Sequence, residues 1–273
     1  MNPRPFPLLL AAAFAAVALT ASAGAEKRTY LHRSRGADLR TVNLMVEPAP
    51  DGGLRYSLAG LFGNENTLFT FTTGPDGRPA EFVNTRAGGD ETRFVFAPGQ
   101  VAFRQIRPDA AAIETNVPVD PAAWPDFNSR PDPYLTAHAL LRAYDFEHKG
   151  RQSFSVFDVD DTGQTLVPYE ISLEWVDDDG VVLPNGRFRA RHLVQLQQSS
   201  APTWYKKRRG SQTDFWIDDA GALLRVYRHR EPYELILQNY SNPAARLDPA
   251  ASAQGYPQPP TPAPGNRPPP PPP

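Results

Sequence analysis

With 273 residues, a formal net charge of −2 and no cysteine, the chain cannot form disulfides, thiolate metal centres or thiol nucleophiles. Charges of both signs are interspersed, so no basic field is available to neutralise phosphates, which excludes nucleic acid as a partner class. Prolines gather in a middle segment and at the C-terminal end, leaving about 220 residues for one large β domain or two small ones.

Residues 1–25 read as a cleavable export signal. Arg4 supplies the positive start and Leu8 to Leu19 an apolar run. Ala21-Ser22-Ala23 and Ala23-Gly24-Ala25 offer the small-x-small pattern of a signal peptidase, placing the mature start at Gly24 or Glu26. The run is short for a bilayer span and no basic stop-transfer cluster follows. A periplasmic or secreted protein with no membrane anchor after cleavage is therefore expected.

Short apolar-polar alternations then recur between turn clusters, the pattern of an antiparallel meander. Val42, Leu44 and Val46 alternate with polar neighbours, as do Leu54, Tyr56 and Leu58. Thr67 to Thr73 and Ala80 to Asn84 flank Gly74-Pro75-Asp76-Gly77, whose residues supply the preset and positive φ of a tight hairpin. Arg93 to Phe96 and Val101 to Ile106 flank Pro98-Gly99 as a second hairpin.

Six prolines between Pro108 and Pro133 argue against regular pairing there, so 108–131 reads as a crossover between halves 26–107 and 132–242 of one antiparallel β domain. A helix follows, with Asp132 as N-cap, Pro133 at N1 and an apolar stripe of Tyr134, Ala137, His138, Leu141 and Tyr144.

In the second half, odd positions from Val167 to Trp175 and even positions from Phe188 to Leu196 are apolar. Pairing these strands around the turn from Asp177 to Asn185 would set Glu170 and Glu174 against Arg187, Arg189 and Arg191. Strands at Thr213 to Ile217, Ala222 to His229 and Tyr233 to Gln238 complete the domain. Residues 243–273 hold twelve prolines among the last twenty-five positions and read as a solvated, disordered tail, with docking to a proline-reading envelope protein as the alternative. The fold class is mainly β: a curved antiparallel meander, half-barrel or open barrel, with one central helix.

No catalytic motif emerges. Asp158-Val159-Asp160-Asp161-Thr162-Gly163 begins like a calcium loop, but Tyr169 stands where a bidentate acid is needed. The five histidines show no HxH or HxxxH spacing, so no metal site or cofactor is expected. A glycosidase pair of Glu170 and Glu174 would face arginines, which lower a carboxylate's pKa when a general acid needs it raised. Lys206, Lys207, Arg208 and Arg209 form the one dense charge run, a solvated loop or an anion-binding patch for a lipid headgroup, polysaccharide or acidic protein. Aromatic strand positions, with one helix to cover them, point to an apolar concave face whose candidate ligand contacts are Tyr169, Trp175, Phe188, His192, Phe215 and Tyr227.

The runs Asp132-Pro133-Tyr134-Leu135, Leu140-Leu141-Arg142-Ala143-Tyr144, Pro184-Asn185-Gly186 and Asp214-Phe215-Trp216-Ile217-Asp218-Asp219, with Gly150, Gly221 and Leu224-Arg225-Val226, resemble a group of uncharacterised bacterial exported proteins. That group is similar to the lipoprotein-carrier class (LolA and LolB), curved half-barrels capped by helices. The resemblance implies a non-enzymatic carrier of a lipid or lipoprotein acyl chain and no catalytic residues. A cell-envelope hydrolase using His192 or His138 with a nearby acid, and a structural module binding another envelope protein, are the alternatives.

Overall fold

The computed structural model describes residues 24–34, 36–62, 65–126, 134–159, 166–178, 180–197, 212–229 and 233–247. The N-terminal strands are β1 (Glu26–Ser34), β2 (Ala37–Pro48), β3 (Leu54–Phe62), β4 (Glu65–Thr73), β5 (Pro79–Arg86), β6 (Glu91–Ala97), β7 (Gln100–Arg107) and β8 (Ala110–Pro118). After the two-residue β9 (Trp124–Pro125) and the helix α1 (Tyr134–Arg142) come β10 (Arg151–Val159) and β11 (Leu166–Asp177). A separate hairpin, β12 (Gly180–Leu183) and β13 (Gly186–Arg189), precedes β14 (Arg191–Gln197), β15 (Gln212–Ile217), β16 (Leu223–Arg228) and β17 (Tyr233–Leu237).

Among the described residues, all strands but the hairpin belong to one fifteen-stranded sheet in the order β8-β7-β6-β5-β4-β3-β2-β1-β17-β16-β15-β14-β11-β10-β9. Pairing is antiparallel except for the short parallel contact of β9 with β10. The two halves become one sheet where β1 pairs with β17, Tyr30 opposite Leu237 and His32 opposite Leu235. Their outermost strands, β8 and β9, are not hydrogen-bonded to each other, so the sheet stays open. It nevertheless curls. Phe96 on β6 meets Phe157 on β10 with ring centroids 6.2 Å apart, although the two strands stand near opposite ends of the order.

The alternation of the first half puts one side chain in two on the inner face. Tyr56, Phe71, Phe82, Phe94 and Phe103 fall in one cross-strand row, each opposite the next. All five are buried, and successive rings lie 5.2–6.1 Å apart along the segment Phe82–Phe94–Phe103. Such pairs add about 0.5–1.5 kcal/mol each beyond area burial. Their rigid stacking also fixes the register, because a one-residue slip would turn every phenyl ring to solvent.

The helix plugs the interior. The apolar stripe expected from its periodicity understates its burial, since Ala139 and Leu140 are enclosed together with Ala137, His138 and Leu141. His138 stacks on Tyr56 at 5.0 Å. Burial, with Arg28 and Arg142 nearby, holds its pKa well below the ordinary range, so the imidazole is neutral.

Several expectations require correction. Residues 110–118 are not part of an irregular crossover: they form β8, because Pro108 precedes the pairing span and Pro118 closes it, opposite Gln100, where an edge strand tolerates proline at its end. β11 and β14 do pair, Glu174 opposite Val194, but the expected glutamate–arginine ladder is absent. β10 lies on the other side of β11, and its Arg151 takes Glu174 at 2.5 Å, while Arg191 pairs with Asp219 at 2.9 Å. The run from Phe188 to Leu196 is two strands whose inward parity switches: Phe188 and Ala190 point in, then Leu193 and Gln195. Finally, the expected tail begins with structure: Asn242 caps a 3-10 turn, Pro243–Ala245, and Leu247 N–H donates to the Arg187 carbonyl at 2.9 Å. The basic run Lys206 to Arg209 and residues 1–23 lie outside the described residues.

Candidate functional site

The curl of the sheet brings three distant pieces of chain to one place. The β4–β5 turn closes with Gly77 N–H on the Gly74 carbonyl, where Gly77 takes the positive φ of 78° that the tight reversal requires. The β6–β7 turn at Pro98-Gly99 receives Val119 N–H on its Gly99 carbonyl at 3.0 Å, which docks the short connector between β8 and β9. Arg78 then ties the connector to the first turn: Nη1 donates to the Pro121 carbonyl at 2.8 Å and the guanidinium lies 5.2 Å from the Trp124 ring centroid. Trp124 and Pro125 are in turn bridged to Val156 and Phe157 of β10.

Between these pieces lies an open cleft of about 200 Å³. Phe96, Val101 and Phe157 contribute apolar lining, Pro79, Pro98, Pro121 and Trp124 stand around them, and Asp76, Arg78 and Asp120 are its charged groups. The two carboxylates are engaged locally, Asp76 Oδ1 accepting from Arg78 N–H at 3.0 Å and Asp120 Oδ1 from Ala122 N–H at 2.9 Å. Chemically this is a place for an apolar group with one polar end.

The six ligand contacts expected from the sequence do not line a common surface. Tyr169, Phe188 and Phe215 are buried at 2–5% exposure. Tyr169 nevertheless serves the cleft indirectly: its hydroxyl donates a short hydrogen bond to the buried Asp126 carboxylate, and Asp126 N–H donates to the Phe157 carbonyl at 2.8 Å. That pair fixes the chain just after Trp124. Phe188 meets Tyr240 edge-on at 4.9 Å, under the β12–β13 hairpin. Trp175 is partly exposed, its indole N–H donating to Asp178 at 3.0 Å with the Lys149 ammonium 3.9 Å from its ring centroid.

His192 and Tyr227 occupy the outer face of β14 to β16. There Asp214 accepts from His229 Nε2 at 2.7 Å and from Gln212 Nε2 at 3.1 Å, while His192 Nε2 approaches to 3.9 Å. The His192 ring stacks on Trp216 at 4.5 Å and 11°, with its side chain 17% exposed and its Nε2 atom buried. Burial pushes the Asp214 carboxyl up, but the nearby His192 and the donors His229 and Gln212 outweigh it and hold the pKa below the ordinary value. Sequence reasoning passes over both Trp124 and the Asp214–His229 pair. Strand pairing is the signal for the latter: Asp214 sits opposite Tyr227, putting residue 229 on the same face one diagonal away.

No family model and no curated protein matches the chain. Among solved structures it is similar to a β-barrel-like protein of a domain of unknown function, DUF1849, from Brucella abortus. That alignment has a TM-score of 0.47 and 9% identity over 77% of this chain and 94% of the other. A DUF1089 family protein from Pseudomonas aeruginosa aligns with a TM-score of 0.33 and 10% identity over 72% and 88% of the two chains. The fold itself, read from the strand order, is an open antiparallel sheet with a central helix. The lipoprotein-carrier resemblance gains no support from these neighbours.

Proposed function

We propose that this is an exported, non-enzymatic binding protein, periplasmic or secreted, that seats the apolar end of an amphipathic ligand in the cleft where its sheet ends meet. The observation that carries this reading is the apolar lining of Phe96, Val101 and Phe157 beside the Trp124 ring. The volume, about 200 Å³, lies under the roughly 300–1,000 Å³ that clasp a drug-sized ligand. A chain end fits and a whole lipid does not. Burying about five methylenes at ~0.8 kcal/mol each gives ~4 kcal/mol, a dissociation constant near ~1 mM before any polar contact is added. Free N–H groups of Arg78 beyond the one held by Pro121 suit a carboxylate or phosphate head.

Titration of the purified protein with sodium octanoate, followed calorimetrically, tests this. Saturable binding that disappears in Ala97→Trp, a substitution at an exposed cleft position that fills the space, supports the proposal. Octanoate heats that are linear in concentration, or unchanged by the plug, overturn it.

A hydrolase reading has one observation in its favour, the 2.7 Å contact of His229 with Asp214 beside His192. Its test is loss of turnover on an envelope ester or glycan panel in Asp214→Asn. Equal turnover by the variant and the parent chain refutes it.

A further inference from the structure

Among the described residues β8 ends the sheet, and its edge is lightly protected: one register shift in its pairing with β7, near Ala110, and one proline at its end. Protein sheets blunt their margins with lysines, inward charges, bulges, prolines or very short strands. β8 runs nine residues, Ala110–Pro118, contains no lysine or arginine, and keeps its single proline at the last position. Every residue in it except the half-buried Val117 is exposed, including Ile113 at 39%. Its one charge, Glu114, is already neutralised by Arg104 of β7 at 2.9 Å.

We propose that β8 pairs antiparallel with β8 of a second copy of this chain, across a two-fold axis through Thr115. The register follows from side-chain matching. Thr115 and Val117 sit opposite Phe103 and Val101, which are buried, so Ile113, Thr115 and Val117 share the core-side face and Glu114 and Asn116 the outer one. A two-fold axis normal to a continuous sheet preserves faces, so only residues of equal parity can oppose one another. An axis through Glu114 sets two carboxylates face to face, which is unfavourable. An axis through Thr115 sets Ile113 against Val117 of the second copy, Glu114 against its Asn116, and Thr115 against its Thr115, so apolar, hydrogen-bonding and hydroxyl pairs all match. Pro118 then falls opposite Ala112, beyond the matched rungs, where its missing N–H removes no central ladder bond. Strand pairing of this length buries less than the ~1,200 Å² of a stable interface. The dimer is therefore weak and concentration-dependent.

The absence of native cysteine makes the test clean, since a single introduced thiol can bridge only between copies. Directly opposed residues in an antiparallel pair have Cα atoms about 4.5–5.5 Å apart, within disulfide range. Under mild oxidation the Thr115→Cys variant should form a covalent dimer rapidly. Ile113→Cys, whose symmetry mate lies about four residues away along the strand, roughly 13 Å, should not. Val182→Cys, at an exposed site on the separate hairpin, measures random collision. In parallel, light scattering of the unmodified chain should show mass rising with concentration, and Thr115→Lys, which opposes two ammonium groups, should remain monomeric. Cross-linking of Thr115→Cys no faster than Val182→Cys, faster cross-linking of Ile113→Cys, or a monomeric parent chain at every concentration would overturn the proposal.

Discussion

Replacing Phe82 by alanine strikes the centre of the aromatic row. The ring is 2% exposed, sits 6.2 Å from Phe69 and 6.1 Å from Phe94, and is flanked along the row by Phe71 and Phe94. Truncating a buried phenylalanine costs about 3–5 kcal/mol through lost transfer energy and the cavity left behind. The stacked neighbours are held by their own strands and cannot collapse into the space, so a value near ~4 kcal/mol is expected. For a domain of this size that corresponds to a fall in Tm of roughly 8–16 °C. Because β1 joins the two halves through its pairing with β17, urea unfolding followed by circular dichroism and by tryptophan fluorescence should give one coincident transition that shifts as a whole. Ile113→Ala on the exposed edge should change stability by less than ~0.5 kcal/mol. A loss below ~1 kcal/mol for Phe82→Ala, or two transitions of which one stays in place, would refute the reasoning.

Gly53→Ala should destabilise by about 1–3 kcal/mol, since its Cβ would stand 1.8 Å from the Thr73 carbonyl oxygen at the β2–β3 turn; thermal melting at the parent value would show that the turn can yield. Acidification should weaken the fold before carboxylates titrate. Burial, reinforced by Arg40, lowers the His32 pKa from 6.5 to about 4, so the unfolded chain binds a proton that the folded chain refuses over that window. Stability is then full above about pH 6.5 and declines toward pH 4, by at most ~3 kcal/mol from this residue, with buried His138 acting in the same direction. His32→Gln should flatten the decline, and an unchanged pH profile would remove the linkage.

The meander of β2 to β7 is legible in the sequence because one face of each strand meets the core, so Val42, Tyr56 and Phe71 keep strict parity with polar neighbours, while the exposed Val95 beside Phe94 blurs β6. The pattern fails where burial is set by something other than a single sheet face. β8 lies between prolines, opens with three alanines and buries only Val117 in part, so its short alternation from Ile113 to Val117 is a weak signal. The β14 segment changes parity after Ala190 because the chain leaves a separate hairpin to enter the main sheet. Glu174 is claimed by Arg151 on β10, a strand absent from the reading that paired it with the arginines of 187–191. The cleft is the least legible feature. Arg78, Phe96, Trp124 and Phe157 come from pieces of chain that local patterning treats separately, and only the curl of the whole sheet brings them together.

Ligand binding as proposed requires the sheet's ends to meet around an apolar hollow. Isotope-filtered NMR of the labelled protein with sodium octanoate tests it directly. Contacts from the octanoate methyl group to the rings of Trp124, Phe96 and Phe157 together are the predicted result. Contacts elsewhere, or to Phe96 without Trp124 and Phe157, would contradict it.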